Sequence, residues 1–129
     1  MSLQEEANLF YDEYSVVLEE YIDYKDMVNT GVVFDDFTKK EMRALSVLTP
    51  QNFKKELFNI PIIKSENLLD IYIKVADFYM EKEHYGLAER YLRKILAGGY
   101  RKPETCAKLS EVYEKIGNRA LAAELLKMR

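Results

Sequence analysis

An all-α fold is predicted by three features of the chain. Residues 69 to 129 carry one helical-hairpin pattern twice, offset by 34 positions. Apolar residues elsewhere recur at steps of three and four, the period of a helix with one buried face. Only three prolines and five glycines interrupt 129 residues, so the elements are few and long. Val and Ile fall inside these periodic stretches and not in short alternating runs.

The first element is a long amphipathic helix over about 3–30. Leu3, Ala7, Phe10, Tyr14, Val17, Tyr21, Tyr24 and Val28 form one apolar stripe, widened by Tyr11, Leu18 and Ile22. At about 1.5 Å per residue it is roughly 40 Å long, and Gly31 is its expected stop. The stripe is expected to pack on the rest of the domain, with helix-mediated dimerisation as the competitor. Up to Asp36 the only base is Lys25, against ten acids, whereas the remainder carries more Lys and Arg than acid. Such a helix is either a solvated acidic face or is drawn to the basic remainder of its own or another chain.

Residues 32–37 read as a connector with apolar anchors. Thr38 and Glu41 have capping-box spacing, and Phe37 can staple onto Met42, so a second helix is expected from Thr38 to about Leu48. Thr49 and Pro50 then make an N-cap and first-turn proline for a short third helix ending near Asn59. Pro61 ends this hairpin. Moving back 34 positions sets Met42 on Ala76 and Leu45 on Tyr79, but Lys54 on Ala88. The 37–64 hairpin is therefore either a degenerate repeat or an unrelated cap.

Ser65 is an N-cap for a fourth helix over about 66–82. A fifth, over about 86–97, is stopped by Gly98 and Gly99, which tolerate the left-handed backbone of a helix end. Pro103 lies in the first turn of a sixth helix reaching Ile116. Gly117 and Asn118 turn the chain into a seventh over 119–128. The whole reads as one domain, with 1–36, 37–64 and 65–129 as its parts.

In the two hairpins, Val75 aligns with Leu109, Ala76 with Ser110, Tyr79 with Tyr113, Leu87 with Leu121, Ala88 with Ala122 and Leu92 with Leu126. Small residues stand where helices cross, because a larger side chain would part helices packed about 8–10 Å apart. This pattern resembles the tetratricopeptide repeat (TPR) over residues 69–129, about half the chain. The family's early tryptophan is replaced by Tyr72 and Cys106, its late proline by Tyr100, and its turn glycine is Gly117 in one copy and Glu83 in the other. The resemblance implies hairpins stacked as a right-handed superhelix, with a concave groove lined by each repeat's first helix. The lining it implies is Asp70, Ile73, Lys74, Asp77, Met80 and Glu81 from one repeat. The other contributes Glu104, Ala107, Lys108, Glu111, Glu114 and Lys115.

Two stacked units bury too little to stand alone. The first three helices are expected to supply the missing layer on one side. Leu121, Leu125, Leu126 and Met128 at the other end are expected to be covered by further repeats, by the first helix or by a second chain.

The groove carries mixed charge, and local ion pairs Lys74–Asp77 and Lys108–Glu111 are expected if it is only a solvated face. Asp77 and Glu111 stand where chaperone-tail-binding TPR proteins use asparagine. A mixed or basic peptide, or an amphipathic helix, suits these charges better. Reversing Lys74 and Lys108 to glutamate is expected to weaken a partner while leaving folding intact.

Reactive groups are sparse. His84 sits alone in a turn, Cys106 lies in an apolar stretch, and no Cys/His cluster has zinc-ligand spacing. No catalytic residue, metal or cofactor is expected. The scattered lysines and acidic first helix argue against a nucleic-acid partner. No stretch approaches a membrane span, and no secretory signal is legible, which makes a cytoplasmic location the expectation. Functionally the sequence reads as a non-catalytic protein–protein interaction or scaffold module, binding a peptide or helix in its groove or self-associating. Homodimerisation would run through residues 3–28 or the last helix. The alternative is the C-terminal repeat region of a larger enzyme, such as a bacterial glycosyltransferase, with a regulatory or targeting role.

Overall fold

A computed structural model describes residues 3–31 and 38–129, with the side chains of residues 15, 17–31 and 38–129. Among the described residues it contains seven α-helices and no strand. They are α1 (Leu3–Thr30), α2 (Lys39–Ser46), α3 (Pro50–Phe58), α4 (Glu66–Glu81), α5 (Tyr85–Ala97), α6 (Lys102–Ile116) and α7 (Arg119–Met128). The connector 32–37, the Phe37 staple and the stripe residues before Ser15 lie outside the described residues or side chains.

Local chemistry sets these bounds. Thr38 Oγ1 accepts the Glu41 N–H at 3.2 Å while the Glu41 carboxylate accepts the Thr38 N–H at 3.2 Å, which closes the capping box. Thr49, Ser65 and Asn118 cap α3, α4 and α7 in the same way through one side-chain oxygen each. Helix α2 ends at Ser46, short of the expected Leu48, because Val47 turns out of the helix at ψ 4°.

The 34-residue offset is repeated in the backbone. Glu83 (φ 62°) and Gly117 (φ 100°) both take the left-handed conformation at the hairpin turn. The following N–H groups, of His84 and Asn118, bond back to the carbonyls of Tyr79 and Tyr113, each at 2.8 Å. Helix α4 packs along α5, and α6 along α7. The second crossing is close enough for Ser110 Oγ to donate to the Ala122 carbonyl at 2.8 Å. At the matching positions of the first hairpin, Ala76 and Ala88 are fully buried. Ala88→Leu is therefore expected to overpack α4 against α5 and cost about 1–3 kcal/mol, read as a fall in thermal midpoint. An unchanged midpoint would contradict this packing.

One detail of the turns differs from expectation. Gly98 is right-handed at φ −89°, and only Gly99 (φ 73°) is left-handed. What Gly98 provides is close approach, since a Cβ there would stand 3.2 Å from Ile62 Cγ2.

The first three helices divide between two sides instead of forming one preceding layer. Helix α1 lies along α4. Tyr72 Oη donates to Glu20 Oε1 at 3.3 Å, and Tyr79 Oη donates to Met27 Sδ at 3.1 Å. Both contacts join residues 52 apart, so α1 runs parallel to α4. Its inward face is Val17, Glu20, Tyr24 and Met27, and the stripe is rotated from the expected one: Tyr21 and Val28 are exposed.

Helices α2 and α3 instead pack across α5, α6 and α7. The Asn118 side-chain amide donates to the carbonyls of Leu45 (3.0 Å) and Leu48 (2.7 Å), tying the end of α2 to the α6–α7 turn. The hairpin therefore does not stand before α4 as a preceding repeat would. Lys54, which spoiled the alignment, points outward and pairs with Glu124 at 2.8 Å. The far end is covered by α6 and by α3, which lies against α7, and not by α1. Leu121 and Leu125 are fully buried there. The repeat breaks down at its last apolar position: Leu92 is buried, but its counterpart Leu126 is 45% exposed.

A buried polar clasp holds α3 in place. Glu89 on α5 is only 3% exposed. Its carboxylate accepts the Arg93 guanidinium (Nε at 2.6 Å, and Nη2) and the Tyr113 hydroxyl at 2.6 Å. Arg93 Nη1 then reaches Glu56 of α3 at 2.6 Å, and the guanidinium lies 5.5 Å from the Phe53 ring centroid. Phe53 also meets Tyr113 edge-on, with centroids 5.8 Å apart. Burial opposes the Arg93 charge, but Glu89 and Tyr113 together outweigh it and hold the guanidinium firmly protonated.

Candidate functional site

An open cleft of about 680 Å³ runs between α1 and the first half of α4. Val17, Leu18 and Tyr21 form the α1 wall, and Asn67, Asp70 and Lys74 stand across from them on α4. The α4 wall follows from helical spacing: positions 67, 70, 74, 77 and 81 share the face left open by α1, α5 and α6.

The expected groove residues separate into three groups. Ile73 is buried and Met80 is half-buried against the core, so Ile73 lines the interior instead of the groove. Asp70, Asp77 and Lys108 face outward but are already engaged. Asp70 Oδ1 accepts the Tyr100 hydroxyl at 2.6 Å, with Arg101 3.9 Å away. Lys108 Nζ bonds both Asp77 oxygens at 2.8 and 3.0 Å and lies 3.4 Å from Glu104. The pairing thus bridges α6 to α4, and neither Lys74–Asp77 nor Lys108–Glu111 pairs form. Charge reversal at Lys108 would set three carboxylates together, so it is expected to cost stability as well as binding. Lys74, Glu81, Glu111, Glu114 and Lys115 remain exposed, and Ala107 is half-buried.

The α1 wall was missing from the expected lining. Its signal was present in the sequence, since Leu18, Tyr21, Lys25 and Val28 also follow three–four spacing. One helix with two candidate stripes does not say which of them its neighbour takes.

The seam behind the cleft is rich in tyrosine. Tyr91 stacks on Tyr79 (centroids 6.0 Å) and meets Tyr72 edge-on at 5.1 Å. Burial, with the Glu20 carboxylate adding to it, pushes the Tyr91 hydroxyl up to about 12 and also raises Tyr72. Burial likewise holds the Glu20 carboxyl above its usual range. An unfolded tyrosine ionises near pH 10, so the fold retains a proton that the unfolded chain loses. The stability from Tyr91 is complete below about pH 10 and is lost as pH rises from about 10 to about 12. Tyr91→Phe is expected to soften alkaline unfolding in that window and to remove one late phenolate from a 295 nm titration. Loss of a phenolate near pH 10 instead would show that Tyr91 is solvated.

No family model, curated protein or solved structure matches this chain.

Other candidate chemistry is thin. Cys106 is buried on α6, and burial pushes its thiol above the ordinary range, which disfavours a nucleophile. His84 sits at the start of α5 beside the Tyr79 ring. Among the described residues no group of three or more His, Cys, Asp or Glu is placed to hold a metal. No helix there is long and apolar enough to cross a membrane.

Proposed function

We propose that the chain is a non-catalytic protein–protein interaction module of TPR type, whose groove takes an amphipathic helix. The observation that carries this reading is the cleft between α1 and α4, which sets exposed Leu18 and Tyr21 beside the uncommitted cation Lys74. An apolar stripe laid in the cleft would cover those two side chains, while its polar flank met Lys74. The 34-residue register, the paired left-handed turns and the small residues at the crossings support a superhelical stack in which α1 serves as the first layer.

The test uses the full chain with a partner captured by it. Lys74→Glu is expected to weaken that partner several-fold, and Leu18→Asp to weaken it further, with the thermal midpoint of both variants near that of the parent. Equal binding by both variants would remove the groove from consideration. Lys108→Glu is unsuitable here, because it also breaks the bridge to Asp77.

A further inference from the structure

We propose that a second cleft, separate from the groove, docks an acidic amphipathic segment of a partner protein. It lies between α3, residues 59–65, the α5–α6 turn and the end of α7, and encloses about 510 Å³. It shares no lining residue with the groove, although Tyr100 and Arg101 of the same turn contact Asp70 on the groove side.

Its walls are aliphatic and aromatic: Leu57, Phe58, Ile60, Ile62, Leu96 and Met128. Phe58 is 91% exposed and Ile62 64% exposed, in a domain whose other α3 aromatic, Phe53, is wholly buried. Gly98 and Gly99 line it without side chains, and Ile62 approaches Gly98 more closely than a Cβ would ordinarily permit, since one would stand 3.2 Å from its Cγ2.

The charge at this cleft has one sign. Among the described residues, Lys54 and Lys102 are the only charged ones in its lining. Lys55, Lys127 and Arg129 are chain neighbours of lining residues, whereas Arg101 is turned to Asp70 on the groove side. The nearby carboxylates are occupied: Glu124 by Lys54 at 2.8 Å and Glu56 by Arg93 at 2.6 Å. The Lys54 ammonium holds the Glu124 carboxyl below its usual range. An apolar slot under a basic rim selects bulky apolar side chains flanked by carboxylates. A nucleic-acid base would instead set its polar edges against aliphatic walls, which gives it no hydrogen-bond partners there. The groove carries both signs of charge and has no such selectivity.

The test is fluorescence anisotropy with the full chain and three labelled probes. They are a synthetic helix with Leu and Phe on one face and Glu on its flanks, the same helix with Lys for Glu, and oligothymidine. The Glu helix is expected to bind at least about tenfold more tightly than the Lys helix at low salt, with the difference shrinking in high salt. Phe58→Asp and Lys102→Glu are each expected to lose most of that binding, while Lys74→Glu in the groove leaves it unchanged. Circular dichroism melts confirm folding, since both cleft positions are exposed. The proposal is overturned if the Glu helix does not bind, if the two helices bind alike, or if Phe58→Asp has no effect. Tighter binding of oligothymidine would overturn it too. So would a dimer in sedimentation that Phe58→Asp dissolves, because a second copy would then occupy the cleft.

Discussion

Replacing Arg93 with methionine is expected to cost about 3–5 kcal/mol, the usual penalty for leaving one member of a buried ion pair without its partner. Glu89 would keep the Tyr113 hydroxyl but lose both guanidinium contacts, with its carboxylate still sealed from water. Tyr113 would suffer as well. Burial and the Glu89 charge already raise its hydroxyl far above the ordinary range, and the Arg93 charge is what offsets them. Against a total stability of about 5–15 kcal/mol for a domain of this kind, such a loss is large. Urea denaturation would read it as a lower midpoint. Glu89→Leu combined with Arg93→Met is expected to be less damaging than Arg93→Met alone, because no charge is then buried unpaired. If the double variant were instead the worse of the two, the clasp would be worth more than its desolvation cost. Lys54→Ala breaks only an exposed ion pair and is expected to cost less than about 1 kcal/mol.

Phe53→Ala is the second large effect, at about 3–5 kcal/mol. Phe53 is the only buried residue of α3, and it fills the space between Tyr113 and the Arg93 guanidinium. Without it α3 has little apolar hold on α5 and α7, so the 39–58 hairpin should open locally before the rest of the domain unfolds. Hydrogen exchange would show this as lost protection in α2 and α3, with α4 to α7 less affected. Uniform loss across all the helices would mean that the hairpin and the stack unfold as one unit. Phe58→Ala, one turn and a half further along the same helix, is expected to change stability by no more than about 0.5 kcal/mol. Phe53 and Arg93 touch, so their costs are not expected to add.

These two residues also mark where reading the sequence stops. Arg93 and Glu89 have ordinary i to i+4 spacing, the usual sign of a solvated pair on a helix face. Nothing local says that α3 will be laid over them and exclude water. The placement of α1 shows the same limit. Its periodicity was legible, but the stripe put Tyr21 and Val28 inside, where the structure instead turns Glu20 and Met27 inward. The choice was made by Tyr72 and Tyr79, whose hydroxyls need partners at that seam. Ile73 was assigned to the groove by register alone, whereas the close packing of α4 turns it into the core. Lys108 looked like half of a local pair until α6 was set beside α4.

What the sequence determined by itself is everything that depends on near neighbours in the chain. The helices and their limits follow from periodicity, from the caps Thr38, Thr49, Ser65 and Asn118, and from the prolines and glycines between them. The paired hairpins follow from small residues recurring 34 positions apart. The tertiary structure alone decided which surfaces were left over: that α1 takes one side, that α3 crosses the other, and that a cleft remains beside each. The physical reason is that a helix face can be buried by any complementary face. Which face arrives is a competition between long-range packings, and no local propensity encodes its outcome.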